Sequence, residues 1–164
     1  MKYAITGHTK NIGLCLFNRL SPNVMGFSKS NGFDIQNQHH RTAILEQSKN
    51  CDVFINNACA GFGQTQLLIS LAELWSNEPS KHIINVGSKI SEVILSKEQW
   101  RLAEYQAYKI SLKIMIEKLQ PLVQCKLSYK FFGYVATKEI QAKYPHFTDR
   151  ELISIDRAAD IILS

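Results

Sequence analysis

The sequence of 164 residues predicts one doubly wound α/β domain over residues 1–164, a parallel β-sheet between two layers of helices. Two observations carry this. Short apolar runs of strand length alternate with segments of helical periodicity, and parallel strands need such crossover connections. The composition, 45% hydrophobic and 20% charged, lets a chain of this length bury a core without staples.

Residues 2–6 read as the first strand, followed by a polar turn over 7–13 and an apolar helix over 14–20 that stops near Ser21-Pro22. Residues 23–28 form a second apolar run and Phe33-Asp34-Ile35 a third, ahead of a polar-faced helix over 36–49. The strand at 51–55 leads into Asn56-Asn57-Ala58, and helical periodicity resumes over 65–75. His82–Val86 is a buried strand, 88–99 a polar surface loop, 100–119 a long amphipathic helix ended before Pro121, 126–132 a strand and 156–163 a final helix.

Composition excludes several function classes. No uncharged apolar run approaches the roughly 18 residues of a membrane span, and the N-terminus lacks signal-peptide anatomy, so the expectation is a cytoplasmic protein with no membrane partner. The cysteines, Cys15, Cys51, Cys59 and Cys125, offer neither a Cys-x-x-Cys pair nor a disulfide framework, and the histidines lack a His-x-x-x-His spacing; reduced thiols and no metal are expected. The net charge of +5 is scattered rather than gathered in a stripe, which argues against nucleic acid and allows a mild attraction for phosphorylated ligands.

Thr6-Gly7-His8-Thr9-Lys10-Asn11-Ile12-Gly13 follows the first strand and opens a helix, where backbone N–H groups can hold a pyrophosphate. Gly7 permits the tight turn, Gly13 close helix packing, and Asn11 is among the few non-glycine types that accept a left-handed backbone. By itself this is also an ordinary strand-to-helix turn. After the second apolar run an acid would accept from a ribose 2′-hydroxyl and repel a 2′-phosphate; Ser28 and Lys29 stand there instead. Lys29 and Lys10 can therefore converge on a phosphate, the alternative being two solvated lysines.

Tyr105 and Lys109 are four apart and share a helix face, whereas Tyr108 lies about 100° away. A neighbouring ammonium lowers the phenol's pKa from its usual value near 10, which would make Tyr105 a usable proton shuttle. Ser88 ends a buried strand at the carboxyl edge, where doubly wound sheets bind ligands; it can donate to a carbonyl or simply cap a turn.

Taken in order, these segments resemble the short-chain dehydrogenase/reductase family, over most of the chain. The family's Thr-Gly-x-x-x-Gly-x-Gly is similar to Thr6 through Gly13, its adenine-contacting Asp to Asp34-Ile35, and its Asn-Asn-Ala-Gly to Asn56-Asn57-Ala58-Cys59. Its serine resembles Ser88 in Asn85-Val86-Gly87-Ser88, its Tyr-x-x-x-Lys resembles Tyr105 to Lys109, and its Pro-Gly-x-Val-x-Thr resembles Phe132-Gly133-Tyr134-Val135-Ala136-Thr137. The resemblance implies an NAD(P)-binding Rossmann domain and hydride transfer between nicotinamide and a small-molecule carbonyl or alcohol. It makes Tyr105 the acid/base, with Lys109 on the nicotinamide ribose lowering the tyrosine pKa and Ser88 polarising the carbonyl. Cofactor contacts would come from Gly7, Thr9, Lys10, Asn11, Ile12, Gly13, Ser28, Lys29, Asp34, Ile35, Asn57, Ala58, Cys59, Val135 and Thr137, besides Tyr105 and Lys109. Lys10 and Lys29 look like the version that prefers NADP(H) over NAD(H).

The sequence departs from the pattern at Asn11, Cys59 and Phe132, and Gly61-Phe62-Gly63-Gln64 has no counterpart of the family's proton-relay asparagine. Little chain is left to cover the substrate, so a pocket that is open or completed by another subunit is expected. The alternative reading is an NADP(H)-binding sensor or interaction protein without turnover. Ile110, Leu112, Ile114, Met115 and Ile116 on helix 100–119 give it apolar surface beyond one sheet face, and the expectation is a homodimer or homotetramer through this helix.

Overall fold

Alternation within the strands decides which helix covers which face. The computed structural model describes residues 1–148 and 152–164. Its strands β1 (Tyr3–Thr6), β2 (Val24–Phe27), β3 (Val53–Asn56), β4 (His82–Val86) and β5 (Lys126–Lys130) form one parallel sheet in the order β2-β1-β3-β4-β5. Ala4, Phe54, Ile83 and Leu127 point to one face and pack on Ile44 of α2 (Gln38–Ser48), Leu67, Leu68 and Leu71 of α3 (Gly63–Leu74), and Leu112 and Ile116 of α4 (Ala103–Leu119). Ile5, Val53, Ile55, Ile84 and Val86 point to the other and meet Leu16 of α1 (Asn11–Leu20) with Ala159 and Ile162 of α6 (Ile155–Leu163). This is the three-layer, doubly wound arrangement. Strand order reverses between β1 and β3, which puts a crevice at their carboxyl ends.

Several boundaries differ from the periodicity. The first helix starts at Asn11 rather than 14, so Gly13 lies inside its first turn. Helical structure over 100–119 begins as a 3-10 turn, Lys97–Leu102, entered through a capping box in which Ser96 and Gln99 satisfy each other's backbone. Phe33-Asp34-Ile35 adds no strand. The Asp34 N–H donates to His40 Nδ1 and its carboxylate accepts from Gln36 N, both at 3.0 Å, so its hydrogen bonds close locally while Phe33 packs edge-on to Phe27. The strand expected over 126–132 ends at Lys130. Beyond it the chain builds a separate layer: β6 (Tyr134–Val135) and β7 (Leu152–Ile153) pair in parallel, with α5 (Lys138–Lys143) between them in sequence.

Of the apolar residues on α4, Leu112 and Ile116 are buried and Ile114 is exposed. The stripe serves mainly the sheet and α3, because its spacing follows the inward face.

One half-buried titratable group couples the sheet to pH. His82 lies 2.7 Å from Ser128 Oγ across β4 and β5, and burial, with help from Lys126 and Lys130, pushes its pKa down to about 4. The folded protein keeps His82 neutral while the unfolded chain protonates near 6.5, so this stabilisation is complete above pH 6.5 and is lost as pH falls toward 4. The expected outcome is a loss of about 3 kcal/mol over that window, and a His82→Gln variant should show a flatter profile of melting temperature against pH.

Candidate functional site

The crevice is assembled around the turn after β1. Thr6 is fully buried, and its hydroxyl accepts the N–H groups of Asn57 and Ala58, each at 3.0 Å, while Asn57 Nδ2 donates to the Thr6 carbonyl at 3.0 Å. The loops leaving β1 and β3 are thereby clamped to one another. Gly7 and Asn11 take positive φ, +74° and +51°. A Cβ on Gly13 would fall on the Gly7 carbonyl, so glycine is what lets α1 approach the turn this closely. No side chain caps the first turn of α1 and no acid stands in it, which leaves its amides available to an anion.

Two lobes of one cleft open on either side of this turn. The smaller, about 450 Å³, is lined by Gly7, Thr9, Lys10, Ser28, Lys29, Asp34, Ile35, Ala58 and Cys59. The larger, about 950 Å³, takes in Ile12, Asn57, Cys59, Ser88, Tyr105, Lys109, Val135 and Thr137. Cys59 is common to both. Of the residues singled out in the sequence, Asn11 and Gly13 line neither lobe; Gly13 packs beneath the turn, and Asn11 Nδ2 reaches Glu139 Oε2 of α5 at 3.4 Å, tying the added layer to the turn.

Lys29 does not face the smaller lobe alone. Asp34, five residues after Lys29, pairs with it at 2.9 Å, and its carboxyl is held below the usual range first by the Gln36 N–H and then by Lys29. Ser28 and Ser30 share a hydroxyl contact of 2.8 Å at the same edge. Ser30 lines the lobe and was not signalled by any motif.

Tyr105 and Lys109 differ in depth although they share a face: Tyr105 is 38% exposed and Lys109 only 2%. The Lys109 ammonium donates to Gln64 Oε1 at 2.9 Å and to the Val86 carbonyl at 3.0 Å, and lies 5.7 Å from the Tyr105 ring. Burial lowers its pKa. The phenol does not show the lowered pKa expected from the sequence: burial, then the neighbouring Cys59, push Tyr105 up to about 12, against a hydrogen bond with Ser88 that favours the ionised form. The reason is geometric. Two acceptors at the strand ends engage the ammonium, and desolvation of the phenol outweighs what favours its ionised form.

Gln64 is the residue that sequence reading missed. It is 3% exposed at the start of α3, and its Nε2 donates to the Asn56 and Val86 carbonyls at 2.7 and 3.0 Å while its Oε1 accepts from Lys109. No local signal marks it. Tyr129 of β5 is a second such residue, because its ring occupies the space where a Cβ on Gly87 would be, and its hydroxyl contacts the Ser88 N–H at 3.4 Å and Ser91 Oγ at 3.0 Å. Ser88 is thus fixed on a turn shaped by β5, with its own hydroxyl accepting from Ile90 N at 3.4 Å.

Tyr134, Ile140, Lys143, Tyr144 and Phe147 line the larger lobe from the layer beyond β5. Among the described residues no His, Cys, Asp and Glu side chains gather in threes as metal ligands, and no helix is long and apolar enough to cross a membrane.

The sequence matches no protein-family model and no curated protein. Solved structures do match. A short-chain dehydrogenase from Burkholderia cenocepacia in complex with NADP superposes with a TM-score of 0.76 at 18% identity, covering 99% of this chain and 84% of that one. Serine dehydrogenase from Escherichia coli gives 0.71 at 13% identity, covering 99% and 89%, and a short-chain dehydrogenase from Sphingobium yanoikuyae in complex with NADPH gives 0.71 at 14%, covering 98% and 82%. The chain has the Rossmann-like fold of these dehydrogenases.

Proposed function

We propose that this chain, with the short-chain dehydrogenase fold as its premise, is a member of that family and an NADP(H)-dependent oxidoreductase that interconverts a small-molecule carbonyl and an alcohol. The observation that carries the reading is the two-lobed cleft at the strand-order reversal, in which the uncapped glycine turn lies between a lobe edged by Lys10, Ser28 and Lys29 and a lobe holding Ser88, Tyr105 and Lys109. Those residues fit a dinucleotide: Gly13 leaves room at the turn, the α1 amides would receive its pyrophosphate, and Asp34 and Ile35 would flank its adenosine. A bound nicotinamide supplies the hydride.

The protein supplies the rest. Ser88 would donate to the carbonyl oxygen and Tyr105 would pass a proton to or from it, at the position where negative charge develops. Lys109 would hold the ribose from below, with Gln64 fixing the ammonium. Preference for a 2′-phosphate rests on Lys10 and the Ser28/Ser30 pair more than on Lys29, whose charge Asp34 offsets.

A titration of melting temperature tests the binding half. NADPH at a hundred times its Kd is expected to add about 2.7 kcal/mol, or about 5–10 °C for a chain of this size, with NADH giving less and Lys10→Glu removing the difference. No shift with either dinucleotide would overturn the reading.

A second reading, cofactor binding without turnover, is favoured by one observation, the raised phenol beside an ammonium committed to Gln64 and Val86. Turnover of any carbonyl compound would end it. Work in the cytoplasm, consistent with four free thiols, and pairing of two or four copies along α4 around Ile114 belong to the first reading; a monomer in light scattering would remove the pairing.

A further inference from the structure

The larger lobe is chemically one-sided beyond the hydroxyls of Ser88 and Tyr105. On one wall, the loop before α4 presents Val93, Ile94 and Leu95 with Leu102 beside them, and Ile94 is 98% exposed and Val93 41% exposed at the mouth. Aliphatic side chains left in water around a concave site mark a surface that a ligand covers. From the layer beyond β5, Tyr144 and Phe147 also line the lobe and stack with ring centroids 4.9 Å apart and planes 8° from parallel, and Tyr134 lies 5.4 and 4.9 Å from them. These rings present flat π-faces and edges to whatever enters.

Charge selects further. Among the described residues, the ionised side chains that line the lobe are Lys89, Lys109 and Lys143, and no carboxylate lines it. Lys109 is turned to Gln64 and Val86, which leaves two exposed ammonium groups at the edges. These ammonium groups repel a cationic ligand, and Lys143 already lies over the Tyr144 ring at 5.5 Å, whereas a neutral or anionic ligand meets no such repulsion.

We propose that the substrate is an aryl ketone or aldehyde, neutral or anionic, whose ring lies between the Val93–Leu95 loop and the Tyr144/Phe147 stack while its carbonyl meets Ser88 and Tyr105. This rests on the oxidoreductase reading above. In the reducing direction the carbonyl carbon accepts a hydride from the reduced nicotinamide, the C=O π pair moves to oxygen, and Tyr105 Oη gives that oxygen its proton. The ketone becomes a benzylic alcohol and the dinucleotide is oxidised.

The test uses four probes: acetophenone, 4-acetylbenzoate, the cationic 4-acetyl-N,N,N-trimethylanilinium, and hydroxyacetone as a small polar ketone. NADPH oxidation is followed for turnover, and calorimetry on the protein with NADP⁺ for binding. Acetophenone and 4-acetylbenzoate are expected to exceed both hydroxyacetone and the cation at least tenfold in kcat/KM. Ile94→Ser and Phe147→Ser are each expected to raise KM for acetophenone several-fold, and by more than for hydroxyacetone. Equal or better turnover of hydroxyacetone or the cation would overturn the substrate class and leave the oxidoreductase reading standing. Binding of the aryl ketones without turnover would uphold the pocket chemistry and sink hydride transfer; neither binding nor turnover would overturn the proposal. A dimer that Ile94→Ser dissociates would assign the apolar mouth to a second copy and overturn it as well.

Discussion

Tyr105→Phe is expected to lower kcat for carbonyl reduction by about 10²–10⁴-fold while NADPH still stabilises the protein as it does the parent, because the substitution removes one proton donor and leaves the cofactor lobes unchanged. Steady-state kinetics and the melting shift, measured on the same preparation, check both halves. An unchanged rate would remove Tyr105 from the chemistry. The pH dependence has a definite sign. With the phenol pushed up to about 12, Tyr105 stays protonated throughout the neutral range, so kcat/KM for reduction should be level there and fall only toward strongly alkaline pH. Alcohol oxidation needs the phenolate, a form scarce at neutral pH, and should rise as pH rises.

Gln64→Leu is expected to be the most damaging substitution outside the residues that touch substrate. It takes one of two acceptors from a buried ammonium and leaves the Asn56 carbonyl without the Gln64 amide. An under-compensated buried charge and an unsatisfied carbonyl together cost about 3 kcal/mol, or about 6–12 °C in melting temperature at this chain length. Activity should fall too. With less compensation the Lys109 pKa moves down further, so the charge beside Tyr105 is lost at lower pH than in the parent, and the alkaline limb of the rate profile should shift with it. Thermal melts together with that profile separate this role from plain packing, since a packing defect lowers stability without moving the limb. Gln64→Asn is not a rescue, because an amide one methylene shorter cannot span from Asn56 to Lys109.

Much of this protein can be read from local sequence because the relevant physics is local. Strand and helix identity follows from the spacing of apolar side chains, so Ile5 against Ala4 and Ile84 against Ile83 already separate the two faces of the sheet. The glycine turn is legible for the same reason: positive φ at Gly7 and the approach of α1 at Gly13 are demands made within one strand-turn-helix unit.

Tertiary structure decided what depends on residues far apart. Spacing on α4 puts Tyr105 and Lys109 on one face but cannot say that acceptors at 64 and 86 engage the ammonium, or that burial raises the phenol's pKa where a lowering was expected. Asp34 beside Lys29 and the stacked rings lining the larger lobe are likewise contacts made only in the fold. Local sequence was enough for the order of the five sheet strands and the helices that cover them, and for the turn at which a dinucleotide would lie, but not for β6, α5 and β7, since hydrophobic periodicity and backbone sterics act over a few residues. The protonation state of the groups at the centre of the cleft, and the shape of its mouth, were decided by tertiary structure alone, because desolvation and charge depend on every neighbour in space.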